Sequence, residues 1–190
     1  MDFQEFQKTA LQHFQAALVL SKTLVKKDPN NTQFQRDLSV SYSRLGETQL
    51  RRGDAGATLK HFQAVLAIHK TLITKDTNNT QLQHGLLASY IKLGSIQLLL
   101  ADIDAALQNF QTALVIGRTL VKKAPNNIQF QRDLSVSYGK LGDTQLRQGD
   151  TATALQHFQA ALVLGKTLVK KDHNNTEFQR NLSACYDNLV

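Results

Sequence analysis

The tyrosines of this 190-residue chain, Tyr42, Tyr90, Tyr138 and Tyr186, follow one another at a constant 48-residue step. The Asn-Asn pairs keep that step at Asn30-Asn31, Asn78-Asn79, Asn126-Asn127 and Asn174-Asn175, and so do Phe14, Phe62, Phe110 and Phe158. A fixed period of this size marks a solenoid, in which each repeat covers the apolar face of its neighbour. Inside a repeat the apolar spacing is helical. Phe34, Leu38, Tyr42 and Leu45 make one amphipathic stripe, and Leu59, Phe62, Leu66, His69 and Leu72-Ile73 make a second. Gly53-Asp54 and Gly149-Asp150 read as a helix-ending glycine and an N-cap. Ala101-Asp102 keeps the cap without the glycine, and the Asn-Asn pairs supply the other turn. The expected helices cover 4–27, 31–52, 55–75, 79–100, 103–123, 127–148, 151–171 and 175–190. The fold class is therefore all-α, one repeat domain over 1–190.

Composition agrees. With 42% hydrophobic and 19% charged residues, the chain has the balance of a folded domain rather than a disordered one. No apolar run approaches a membrane span of about 18 residues. The start shows no basic segment followed by an apolar stretch, so a cytoplasmic location is expected, with signal-less export left open. The single cysteine, Cys185, excludes an internal disulfide and suits a reducing compartment. A net charge of +7 favours acidic partners.

Tyr138, Leu141-Gly142, Gly149-Asp150, Ala154, Phe158 and Ala161 fall at the spacing of the tetratricopeptide repeat. Tyr90, Leu93-Gly94, Ala106, Phe110 and Ala113 repeat it, as do Tyr42, Leu45-Gly46 and Phe62, with Thr58 and Val65 where small alanines are usual. The chain thus resembles the tetratricopeptide family, in the form of the long-helix repeats of many large bacterial members. The resemblance implies eight antiparallel helices in a right-handed superhelix. The family unit is 34 residues, and the extra residues here are assigned about two turns to each helix. Gln49, Gln97 and Gln145 replace a usual second tyrosine and either bond within the stack or face a groove. Glycine at 46, 94 and 142 costs about 1 kcal/mol relative to alanine in mid-helix. Its presence at each repeat points to close backbone approach. Phe14, Phe62, Phe110, Phe158, Tyr42, Tyr90, Tyr138, Leu45, Leu93 and Leu141 form the expected core.

Several motifs look like chemistry. Gly165-Lys166-Thr167 imitates the end of a phosphate loop, but Ala160 stands where the earlier glycine belongs, and the segment falls inside a helix. His13, His61 and His157 form a column with Asn109, one per helix, which suits packing better than a metal. Lys26-Lys27, Lys122-Lys123 and Lys170-Lys171 end their helices, where they either complement the dipole or form a basic ridge for phosphate. Cys185 has no histidine on its helix. No constellation of acid, base and nucleophile can be assembled. The expectation is a non-enzyme with no cofactor and no metal.

The resemblance places the groove lining on the first helix of each repeat. In order these are Val40, Ser43, Glu47, Leu50 and Arg51, then Ala88, Ile91, Ser95, Leu98 and Leu99, then Val136, Gly139, Asp143, Leu146 and Arg147. Arg36, His84, Arg132 and Arg180 lie one turn earlier on the same faces. The carboxylate clamp by which some family members hold chaperone C-termini is not reproduced at Ser43, Glu47 and Arg51 or at Gly139, Asp143 and Arg147. Leu98-Leu99-Leu100 departs from the Leu-Arg-Arg and Leu-Arg-Gln of its neighbours. It is either an apolar anchor flanked by Arg51 and Arg147 or packing that compensates for Ala101. The implied function is a scaffold that binds a protein or peptide, acidic or amphipathic, in the groove. A self-assembling unit, joined through its uncapped first helix and the last one at Leu189-Val190, is the alternative. A nucleic-acid surface comes third.

Overall fold

The computed structural model describes residues 3–187, without the side chains of Phe3, Gln4, Phe6, Gln7 and Lys8. The described residues form eight helices: α1 (Phe3–Lys27), α2 (Thr32–Arg51), α3 (Ala55–Lys75), α4 (Thr80–Leu99), α5 (Ile103–Lys123), α6 (Ile128–Arg147), α7 (Thr151–Lys171) and α8 (Thr176–Asp187). These bounds match the sequence expectation within one residue wherever both ends are described. Leu189-Val190 lies outside the described residues. The chain forms two compact units, residues 1–82 and 83–190.

The turns carry the chemistry read from the sequence. In each Asn-Asn pair whose cap bonds are seen, the second asparagine is the cap. Asn31 accepts from the Gln33 and Phe34 amides at 3.0 and 3.1 Å, and Asn127 from Phe130 at 3.1 Å. Asp54 and Asp150 accept from Ala57 and Thr153 at 2.9 and 3.1 Å. Each such cap satisfies an amide that the helix leaves without a partner. Gly53 and Gly149 turn with φ of 80° and 84°, and Ala101 is forced to φ 60° at the equivalent place.

In the first unit, Leu18, Leu38 and Leu45 make the core, with Phe14, Tyr42 and Ile68 against it. Thr58 is fully buried in the alanine column, and its hydroxyl donates to the Asp54 and Gly46 carbonyls at 2.8 and 3.2 Å. In the second unit, Ala106, Phe110, Leu114, Leu134 and Leu141 form one cluster, and Leu87, Ala113, Leu120 and Phe130 another.

The glycine expectation holds. A Cβ at Gly94 would come 2.8 Å from the Phe110 ring, and one at Gly46 2.9 Å from Phe62. Gly142 meets Phe158 in the same way. The phenylalanine rings of α3, α5 and α7 therefore lie against the glycine backbone of the helix before them.

Two core expectations need correction. Phe14 is half-buried, at the margin of the Leu18–Leu38–Leu45 cluster rather than within it. Tyr42, Tyr90 and Tyr138 are also half-buried. The Tyr42 and Tyr138 rings meet His61 and His157 of the paired helix, with ring centres 5.9 and 5.8 Å apart. Arg118 Nε donates to the Tyr138 hydroxyl at 3.0 Å, with the guanidinium 5.4 Å from the ring centre. Lys22 sits 5.4 Å over Tyr42 and Lys166 5.5 Å over Tyr186. Such contacts suit a ring with one wet end. Tyr90→Ala is accordingly expected to cost less than the roughly 3–5 kcal/mol of a fully buried aromatic.

Two opposite glycine substitutions test the packing. Gly94→Ala should destabilise by about 1–3 kcal/mol, because overpacking against Phe110 outweighs the gain in helix propensity. Ala101→Gly should stabilise by roughly 0.5–1 kcal/mol, because it relieves a left-handed alanine. Denaturant unfolding of the two variants reads both signs.

Candidate functional site

The first helices of the second unit, α4, α6 and α8, share a surface with two adjoining clefts of about 210 Å³ each. That is below the roughly 300–1,000 Å³ of small-molecule sites. The first cleft is lined by Leu87, Ala88, Ile91, Lys92, Arg132, Asp133, Val136, Glu177 and Asn181. The second is lined by Ser135, Val136, Gly139, Lys140, Asp143, Asn181, Ala184 and Cys185. Val136 and Asn181 belong to both. The clefts are open because small residues, Ala88, Gly139 and Ala184, occupy helix positions where a larger side chain would fill the space. A Cβ at Gly139 would meet nothing within 4 Å.

Polar and charged residues bridge successive first helices along the first cleft. His84 Nε2 on α4 lies 2.6 Å from Asp133 Oδ2 on α6. Gln129 Nε2 donates to both Asp133 oxygens at 3.0 and 3.2 Å. Arg132 donates from Nε and a terminal nitrogen to Asp133 at 3.4 Å each. Its other terminal nitrogen donates to both Glu177 oxygens on α8, at 2.9 and 3.1 Å. Asp133 is thus buried with its charge surrounded by donors, as a buried carboxylate requires.

In the second cleft, burial raises the carboxyl pKa of Asp143 above the ordinary range, against the pull of Lys140 and Arg147. Burial also raises the Cys185 thiol, the Asp143 charge adds to this, and a Ser135 hydrogen bond partly offsets it. A thiol pushed up in this way is protonated at neutral pH and is a poor nucleophile.

The expected groove residues divide by environment. Ile91, Arg132 and Asp143 line the clefts. His84 is held by Asp133. Leu98 turns inward against the Ala106–Phe110 cluster, so its side chain is spent on the core rather than the groove. Leu99 is 63% exposed and Leu100 42%, so neither compensates for Ala101 by burial. Arg147 is exposed beyond Asp143. In the first unit Val40 and Arg51 are exposed on α2, and Arg36 and Glu47 are half-buried.

The remaining motifs are absorbed by packing. Gly165 is buried inside α7, where a Cβ would meet Leu182 at 3.4 Å, and Lys166 caps the Tyr186 ring. His157 Nδ1 lies 2.6 Å from Gln145 Oε1 and Asn109 donates to Gln97 Oε1, so these glutamines bond within the helix pair. Burial, then Arg118, lowers the His157 pKa, and burial, then Lys22, lowers that of His61. Lys123 and Lys171 donate to Gln83 and Gln131 at 3.3 and 3.0 Å, one repeat back. Among the described residues no group of three or more His, Cys, Asp or Glu is placed to hold a metal. No described helix is long and apolar enough to cross a membrane.

Neither a protein-family model nor a curated protein matches the chain. Solved structures do resemble it. BtubC (BKLC) from P. vanneervenii superposes with a TM-score of 0.61 at 12% identity, over 96% of this chain and 72% of that one. MamA gives a TM-score of 0.46 at 17% identity, over 99% and 95%. TTC0263, a thermophilic TPR protein in Thermus thermophilus, gives 0.40 at 17%, over 94% and 94%.

Asp143 carries a pH signature. A carboxyl whose folded pKa is raised contributes stability that is complete below its unfolded pKa and is lost as pH rises through the folded one. Asp143→Asn should therefore gain stability on the wild type as pH climbs from strongly acid to neutral, and a pH series of unfolding midpoints checks it. With paired helices closed by glycine on phenylalanine and tyrosine on the seam, the chain has a tetratricopeptide-like repeat fold.

Proposed function

We propose that the chain is a protein-interaction scaffold and that the α4–α6–α8 surface of the second unit binds a peptide segment of another protein. The observation that carries this reading is the pair of clefts sharing Val136 and Asn181. Each is small enough for a side chain and too small for a typical cofactor, and together they form a strip in which Leu87, Ile91 and Val136 stand among polar and charged side chains. Interfaces with that anatomy are anchored by a few apolar contacts at the centre. Ile91 and Val136 are the anchors in this reading, and the Asn181 amide can both donate to and accept from a peptide backbone. In this reading Arg36, Val40, Glu47 and Arg51, spaced for one face of α2, are the corresponding strip in the first unit. Leu99 lies outside both clefts, so it extends the apolar surface without anchoring it.

A positional-scanning array of short synthetic peptides tests this with three variants. Val136→Glu puts a charge where the two clefts meet and should weaken binding by about thirtyfold or more, the roughly 2 kcal/mol of a hot spot. Val163→Glu, at a 65% exposed position on α7, should leave it unchanged. Leu99→Arg, which restores the residue of the neighbouring repeats, should stay folded and keep binding within about twofold, a change of less than the 1 kcal/mol that separates hot spots from their surroundings. An array with no binding, or one indifferent to Val136→Glu, contradicts the proposal.

A further inference from the structure

Resting on that scaffold reading, we infer that the first cleft selects an acidic peptide segment with an adjoining aliphatic side chain, and that Glu177 occupies the acidic subsite as the protein's own stand-in carboxylate. The two ends of Arg132 differ. One faces Asp133, whose side chain is 11% exposed and is already served by His84 and Gln129. That contact fixes the arginine. The other end donates to both oxygens of Glu177, at 2.9 and 3.1 Å, and the Glu177 side chain is 57% exposed. Arginine reads a planar carboxylate through paired donors, whichever chain supplies it. An exposed ion pair is worth little on balance, since ordering two side chains offsets most of the attraction. An incoming carboxylate can therefore replace Glu177 at small cost, and the released side chain regains freedom in solvent. Leu87, Ala88, Ile91 and Val136 line the same cleft, so the displacing group arrives with apolar surface beside it. The net charge of +7 works in the same direction by drawing acidic segments to the surface.

The test uses the intact chain and two fluorescent pentapeptides, acetyl-Gly-Leu-Glu-Leu-Gly-amide and its Gln counterpart, in anisotropy titrations at low salt. Glu177→Gln removes the competing charge at an exposed position. It should tighten the Glu peptide by about two- to fivefold, the scale of an exposed ion pair, and leave the Gln peptide unchanged. Arg132→Lys keeps the charge without the fork and should bring the Glu peptide close to the Gln peptide. Circular dichroism confirms that both variants stay helical. An unchanged or weakened Glu peptide with folded Glu177→Gln overturns the inference. Equal tightening of both peptides also overturns it, because carboxylate selection would then be absent. If both peptides bind and lose affinity with Val136→Glu while Glu177→Gln is silent, the stand-in role fails alone. If neither binds and the array is blank, the scaffold reading fails with it.

Discussion

Each repeat depends on a phenylalanine ring lying against a helix backbone that carries no side chain. Phe62, Phe110 and Phe158 are almost completely buried, and each meets the glycine that the preceding helix presents, at 46, 94 or 142. The contact sets how closely the two helices of a pair approach. That spacing in turn lets Gln145 reach His157 and Gln97 reach Asn109 across the seam. It also leaves the tyrosine of the first helix at the edge of the seam, half-covered, with a cation from another helix on the Tyr42 and Tyr138 rings. The mid-helix glycine has an unfavourable propensity, and burial of the ring beside it more than offsets that.

Several side-chain bonds link one repeat to the next, some of them between the start of a first helix and a neighbouring helix. Lys123 reaches Gln83, Lys171 reaches Gln131, His84 reaches Asp133 and Arg132 reaches Glu177. Gln131 also donates to the Pro125 carbonyl at 2.5 Å, tying a turn to the helix it introduces. Most of these bonds are partly exposed and individually weak. Their common effect is to hold α4, α6 and α8 side by side with charged groups fixed along one edge of the clefts.

The helices and their caps were legible because they rest on local chemistry: apolar residues at helical spacing, asparagine and aspartate at the starts, glycine at the ends. The close approach at Gly94 was legible because a costly residue recurred at one register. Side-chain partition was harder to read. Leu98 and Leu99 are adjacent on one helix, and periodicity alone does not say that Leu98 turns to the Phe110 cluster and Leu99 to solvent. The tyrosines were overestimated as core because their hydroxyls and covering cations depend on a neighbouring helix. The contacts of His84 with Asp133 and of Arg132 with Glu177 do not follow from helical periodicity, but the repeat spacing carries a signal for them. Residues about one repeat apart face each other in a stack, and these pairs, each with a carboxylate as one member, stand at that separation.

The central claim is that the shared surface of α4, α6 and α8 is where a peptide docks. Amide chemical-shift mapping of the labelled protein, titrated with the Glu pentapeptide, tests it most directly. The account predicts that the largest shifts fall at Ile91, Val136, Gly139 and Asn181, which line the clefts, while Val115 and Val163, exposed on α5 and α7, stay still. Shifts concentrated at Val115 and Val163, with the cleft residues unmoved, would contradict it.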